Sequence, residues 1–147
     1  MTISAILRQK SRVGAADVAR AAPTATIADV SRQLLSRRIG AVLVMDSTDQ
    51  LLGIVSERDI VASIAELGAR TLEMTAAQLM TRDLHIASAA TTVVEAMEMM
   101  TTGRFRHLPV MDGDRLIGIV SIGDIVKARL SQQEQEVDSL KAYVAGG

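Results

Sequence analysis

The sequence predicts an α+β protein made of two pseudo-twofold-related repeats, each a short β-sheet packed with two helices. Three observations carry that expectation. The chain repeats itself: Gly53-Ile54-Val55-Ser56-Glu57-Arg58-Asp59-Ile60-Val61 returns as Gly118-Ile119-Val120-Ser121-Ile122-Gly123-Asp124-Ile125-Val126. Apolar positions switch between helical and strand-like spacing in the same order in both copies. The length, 147 residues with 48% apolar content, suits two tightly joined half-domains with a core of ordinary size.

Each repeat reads in order. Thr26-x-x-Asp29 and Thr92-x-x-Glu95 predict capping boxes, in which a hydroxyl and a carboxylate satisfy orphan helix N–H groups. Behind them Ile27, Val30, Leu34 and Leu35, then Val93, Ala96, Met97 and Met100, keep helical spacing on one face, and Gly103 is expected to stop the second of these helices. Short strands follow at 41–45 and 107–111, then 51–55 and 116–120, each pair a hairpin, with Asp112-Gly113 a turn signal. Pro109 inside its strand marks an edge or an irregularity. The turn Ser47-Thr48-Asp49-Gln50 is one residue longer than Gly113-Asp114-Arg115. Ser56-x-x-Asp59 and Ser121-x-x-Asp124 open a further helix, the first ending near Gly68.

Extended pieces at 18–20 and 84–87 precede the repeats. Ala5-Ile6-Leu7 resembles Gln78-Leu79-Met80, Ala69–Thr75 reads as a linker, and Ala76–Met80 as a helical turn. Past Leu130 the chain is polar, and Val137, Leu140 and Val144 then recur at helical spacing. This predicts a terminal helix packed on the domain or on a second subunit. The expected organisation is 1–70 and 71–130 for the repeats and 131–147 for the tail.

Composition excludes several functions. Sixteen Lys plus Arg against seventeen Asp plus Glu give a net charge of -1, so there is no drive toward nucleic acid or an anionic membrane. Phe105 and Tyr143 are the only aromatic Phe, Tyr or Trp residues, too few for base stacking. Without Cys there are no disulfides, thiolate metal sites or cysteine nucleophiles. The longest apolar runs are too short for a bilayer, and the start lacks a signal-peptide pattern. A cytoplasmic location is expected. No P-loop or nucleophile-elbow sequence occurs, and neither Ser56 nor Ser121 has an evident histidine base, so a binding module and not an enzyme is expected. His85 and His107 show no metal-ligand spacing.

The paired copies, with strand–Gly-Ile-Val-Ser-x-x-Asp–helix in each and Arg104-Phe105-Arg106-His107-Leu108-Pro109-Val110-Met111-Asp112 in the second, resemble a tandem pair of CBS domains, a Bateman module of the stand-alone type. The likeness covers about residues 1–130. It implies a regulatory module for an adenosine-containing ligand (AMP, ADP, ATP, NAD or S-adenosylmethionine) that acts as a homodimer on a protein effector of unknown identity.

An Asp one turn into a helix can accept from both ribose hydroxyls, and a helix N-terminus suits phosphate. Read from residues alone, the same pattern is also what a helix cap worth about 1 kcal/mol would show. By the resemblance, one cleft combines Ile119, Ser121 and Asp124 with Val18, Ile39, Gly40 and Ala41, the last two bonding the adenine edge and the isoleucines covering its faces. The other combines Ile54, Ser56 and Asp59 with Thr81, Leu84, Phe105, Arg106 and His107, with Arg58, Arg106 and His107 for phosphates. Two departures stand out: Gly123 replaces Arg58, and bulky Arg106-His107 replaces Gly40-Ala41. One filled cleft is as consistent with this as two. The alternative is a dimeric structural or interaction module with empty clefts.

Overall fold

In the computed structural model, which describes residues 1–10 and 18–146, the chain is mixed helix and strand in the order α1 (Ile3–Gln9), β1 (Arg20–Ala21), α2 (Ile27–Arg37), β2 (Ala41–Met45), β3 (Leu51–Ser56), α3 (Glu57–Leu67), α4 (Ala76–Leu79), α5 (Val93–Gly103), β4 (His107–Asp112), β5 (Arg115–Ser121) and α6 (Ile122–Gly146). A 3-10 helix over Gly68–Glu73 joins α3 to α4. The chain folds as two compact units. One comprises residues 1–10, 85–113 and 117–146, and the other residues 18–84 and 114–116.

The unit of the first repeat is built on a three-stranded sheet, β1-β2-β3, with β1 parallel and β3 antiparallel to β2. All five residues of β2 are buried, which is why it reads as an unbroken apolar run instead of an alternating one. Val42, Val44 and Val55 meet Ile27, Val30 and Leu34 of α2 and Ile60 of α3 in one core. In the β2–β3 ladder Met45 pairs with Leu51 but Val44 with Gly53. The register shift is a β-bulge at Leu52, in addition to the one-residue-longer turn. Asp46 closes that turn by accepting from the N–H groups of Thr48 and Gln50 and from the Thr48 hydroxyl.

The unit of the second repeat repeats the plan around β4 and β5. Ala87 bridges Val110 in parallel, as Ala21 pairs with Val44 in the other unit. The Pro109 carbonyl accepts from the Ala87 N–H on that side. The missing proline N–H thus falls on the edge of β4 away from β5, as expected for a strand proline.

The lead-in helices are exchanged between copies. α1 precedes the first repeat but places Ile3 and Ile6 in the core of the second, beside Val93, Val110 and Ile125. α4 precedes the second repeat but puts Ala76 and Met80 in the core of the first. Each exchange is fastened at a pair of helix starts. Thr2 bridges Thr92, with Ile3 N–H donating to Thr91 O and Val93 N–H to Met1 O. Thr75 bridges Thr26, with Ala76 N–H donating to Ala25 O and Ile27 N–H to Met74 O. Gly118 and Gly53 make room for these helices: a Cβ on Gly118 would lie 2.7 Å from Leu7 Cδ2, and one on Gly53 2.6 Å from Met80 Sδ.

Several local expectations are corrected. Leu35 lies 81% exposed, off the buried face of α2. The helix α5 ends at Gly103 as expected, but it is Arg104, at φ 56°, that takes the left-handed turn. The glycine is needed because the Phe105 ring packs where its Cβ would be. Thr26 and Thr92 cap with their hydroxyls only, and Asp29 pairs with Arg32 instead of closing a box. A reciprocal box does form at Thr75 and Gln78. The extended piece expected at 18–20 is a strand only at Arg20–Ala21. The 69–75 segment is largely 3-10 helix, pinned by a 2.8 Å hydrogen bond between the buried Thr71 and Ser63 hydroxyls. The tail continues α6 without a break. Val137, Leu140, Tyr143 and Val144 are all at least half exposed, so the described residues leave this face largely uncovered.

Candidate functional site

The Ser-x-x-Asp segments form two corners of like construction. In the first repeat, β3 ends at Ser56, whose N–H and hydroxyl both donate to Asp59 Oδ2 at 2.9 Å. The Asp59 N–H returns a bond to Ser56 Oγ at 3.2 Å. In the second, Ser121 N–H donates to Asp124 Oδ2 at 2.9 Å, and Asp124 N–H to Ser121 Oγ at 3.2 Å. Both are complete capping boxes. Each fixes the aspartate against the strand end, one turn into a helix, and leaves it partly exposed.

The first N–H of each of these helices is taken by the strand entrance of the same repeat. Glu57 N–H donates to Gly40 O at 2.9 Å, and Ile122 N–H to Arg106 O at 2.8 Å. Gly40 and Arg106 are thereby fixed beside the serine corners of their own repeats. Val18 and Ala41 are buried, Ile39 and Gly40 partly so. Arg58 is exposed on the first turn of α3. Ile54 exchanges two backbone hydrogen bonds with Thr81, at 3.1 and 2.9 Å, so Thr81 pairs along the edge of β3 away from β2. Phe105 stacks on His85 with ring centroids 4.7 Å apart and an interplanar angle of 14°. His107 opens β4 and is partly buried. Val18, Ile39, Gly40, Ala41, Ile54, Ser56, Arg58, Asp59, Thr81 and Leu84 belong to one compact unit. Phe105, Arg106, His107, Ile119, Ser121 and Asp124 belong to the other.

One participant has no counterpart in the sequence reading. Lys10, at the end of α1, places its ammonium 2.8 Å from Asp124 Oδ2 and 3.3 Å from the Ile119 carbonyl. Partial burial pushes the Asp124 carboxyl up. The hydrogen bond and charge of Lys10 and the Ser121 N–H outweigh it, and the net shift is below the ordinary 3.8. No local spacing announces a contact between residues so distant in sequence. Among the described residues, no cluster of His, Asp and Glu could hold a metal.

A shallow groove of about 490 Å³ runs over α2 and α3, lined by the buried Leu34 and Ile60 together with Leu35, Val61, Ile39 and Gly40. Leu35 and Val61 are 81% and 65% exposed there.

Two copies of a β-hairpin flanked by helices, each ending in a Ser-x-x-Asp corner, define the class of protein. The CBS domain family model matches residues 12–66 and 76–131, and the chain belongs to that family. It is similar to the CBS domain-containing protein CBSX3, mitochondrial, of Arabidopsis thaliana, at 31% identity over 99% of this chain and 73% of that protein. It spans only 22% of a longer Arabidopsis relative. Among solved structures it is similar to a CBS-domain containing protein from Agrobacterium tumefaciens. That match has 40% identity and a TM-score of 0.82, covering 87% of this chain and 92% of the other. CBSX2, solved in complex with AMP, shares the fold at a TM-score of 0.74 and 24% identity, over 90% of this chain and 98% of that one.

Proposed function

We propose that this chain is a regulatory module that binds an adenosine-containing nucleotide of the AMP, ADP, ATP or NAD class at its Ser-x-x-Asp corners, and that it acts by binding and not by catalysis. The observation that carries this reading is the pair of partly exposed aspartates held by reciprocal caps at a helix start. Such a carboxylate can accept from a ribose diol, and the adjacent N–H groups suit phosphate. CBSX2, a more distant relative with the same fold, was solved with AMP, which favours this ligand class. The working residues are those expected from the resemblance: Ile119, Ser121 and Asp124 with Val18, Ile39, Gly40 and Ala41, and Ile54, Ser56, Arg58 and Asp59 with Thr81, Leu84, Phe105, Arg106 and His107. The two repeats are taken as 1–70 and 71–130, with 131–147 as the tail.

The module acts as a homodimer in the cytoplasm and passes the ligand state to a protein effector. The exposed Leu35 and Val61 and the uncovered apolar residues of the tail are the surfaces that favour self-association. No described helix is long and apolar enough to cross a membrane.

Thermal unfolding with AMP, ADP, ATP, NAD, NADH and S-adenosylmethionine tests the reading. A ligand at a hundred times its dissociation constant adds about 2.7 kcal/mol, a shift of several degrees. The shift should vanish in Asp59→Ala or Asp124→Ala. If no compound shifts the wild type, the protein is instead a dimeric interaction module whose aspartates are caps only.

A further inference from the structure

The two corners differ in what already occupies the carboxylate. At Asp124, one oxygen, Oδ2, accepts both the Ser121 N–H and the Lys10 ammonium. At Asp59 the corresponding oxygen accepts only from Ser56, and no ion pair to Asp59 is found among the described residues.

The cause lies in the lead-in helices. Aligning the helix caps Thr2 and Thr75 places Leu7 against Met80, Arg8 against Thr81 and Lys10 against Asp83. α4 ends at Leu79, so Thr81 is extended and pairs with Ile54 through backbone. α1 runs on to Gln9, so the equivalent stretch is still helical and offers Ile119 no such partner. The Ile119 carbonyl takes the Lys10 ammonium instead, and the same ammonium reaches Asp124. At the first repeat the equivalent position is acidic, so no such cation is supplied there. Lys10 and Asp124 keep 34% and 24% of their side-chain surface exposed, so the pair is wet enough to exchange.

The geometry points to Lys10 as an internal occupant of the Asp124 corner, which a ligand's hydroxyls must displace and whose freed ammonium then neutralises an anionic group of that ligand. The displacement step rests on the nucleotide reading above; the occupancy itself does not. The consequence is unequal selectivity. The Asp124 corner discriminates a phosphorylated nucleoside from its uncharged parent, because only the former offers the displaced ammonium a new partner.

Two measurements on the full chain test this. The first is competitive acetylation, read by mass spectrometry at Lys10, Lys127 and Lys141, the last two exposed and serving as internal references. Lys10 should react about two- to five-fold more slowly than either in the wild type, and at their rate in Asp124→Asn. Equal rates in both proteins overturn the occupancy, whether or not any nucleotide binds.

The second is calorimetric titration of AMP and adenosine in an Asp59→Ala background, with Lys10 intact or replaced. Lys10→Met should weaken AMP about ten-fold while leaving adenosine unchanged or tighter, and Lys10→Arg should restore the preference for AMP. Equal change for both compounds overturns the displacement step while the nucleotide reading stands. Binding of neither compound even by the unsubstituted chain sinks the nucleotide reading and the displacement step together, and the acetylation result then decides occupancy alone.

Discussion

In both repeats a strand ends in a serine that exchanges hydrogen bonds with an aspartate one turn into the next helix, and in both the first helical N–H is held by the strand entrance of the same repeat. Around this shared frame the surroundings diverge. The first-repeat strand is closed by backbone pairing of Ile54 with Thr81 and carries Arg58 on its helix. The second has Gly123 in place of that arginine and draws its cation from Lys10, far away in sequence. Duplication thus conserves the corner, which local hydrogen bonds dictate. It leaves free the charge beside the corner, which depends on where a lead-in helix happens to stop.

The largest test of this comparison removes a lead-in helix from its host core. Ile3 is fully buried with Val93, Val110 and Ile125, so Ile3→Ala should cost about 2–5 kcal/mol in denaturant unfolding. A cost below about 1 kcal/mol would mean that α1 is not an integral part of the second repeat's core.

The glycines of the strands sharpen the comparison further. A Cβ at Gly53 meets the Thr81 carbonyl at 2.8 Å as well as Met80, and backbone paired to Ile54 cannot withdraw. At Gly118 the obstacle is the end of the Leu7 side chain, which can rotate. Gly53→Ala should therefore destabilise by about 1–3 kcal/mol and Gly118→Ala by clearly less. Equal costs would show that the two lead-in segments are equally rigid.

The repeats and the strands were legible in the sequence because they are written in local terms: a nine-residue motif, apolar runs of strand length, and turn residues. The same holds for the Ser-x-x-Asp corners, whose bonds span three residues. Packing partners distant in the chain are not written in this way. Nothing in the spacing of Ala5-Ile6-Leu7 says that this helix packs in the other copy's core, since an amphipathic turn records that it is buried but not against what. Leu35 fits a helical face by period yet lies beyond its buried arc, because α2 covers the sheet with Ile27, Val30 and Leu34 alone. The helix stop at Gly103 is legible, but the packing of the Phe105 ring where its Cβ would be, and the left-handed turn at Arg104, are not. The Thr75-x-x-Gln78 box was readable from its pattern, but short helices give it no apolar run to announce.

Removing the caps is the next step down in size. Ser56→Ala and Ser121→Ala should each cost about 1 kcal/mol in unfolding, since each strips the oxygen that accepts the aspartate N–H. Near-equality is the expected result, because this part of the frame is shared. A cost confined to one repeat would show that the frames differ as well as their surroundings.

The smallest effect isolates the one cation that separates the corners. Asp124 titrates below its ordinary 3.8 in the folded protein, with burial opposed and outweighed by Lys10 and the Ser121 N–H. The unfolded chain therefore binds the proton more readily. The stability this group supplies is complete above about pH 5 and drains away as the pH falls through the ordinary and then the lower folded value. Asp46, held by Thr48 and by the Gln50 N–H in the first repeat's turn, is lowered too and adds to the same acid loss, but without any lysine. Stability measured between pH 6 and pH 2 should thus lose part of its acid dependence in Lys10→Met, by a few tenths of a kcal/mol given the exposure of the pair. In an Asp124→Asn background the same lysine change should leave the curve unaltered, while Asp46→Asn flattens it in either background. If Lys10→Met alters the acid slope as much without Asp124 as with it, the lysine acts elsewhere and the two corners are more alike than their geometry indicates.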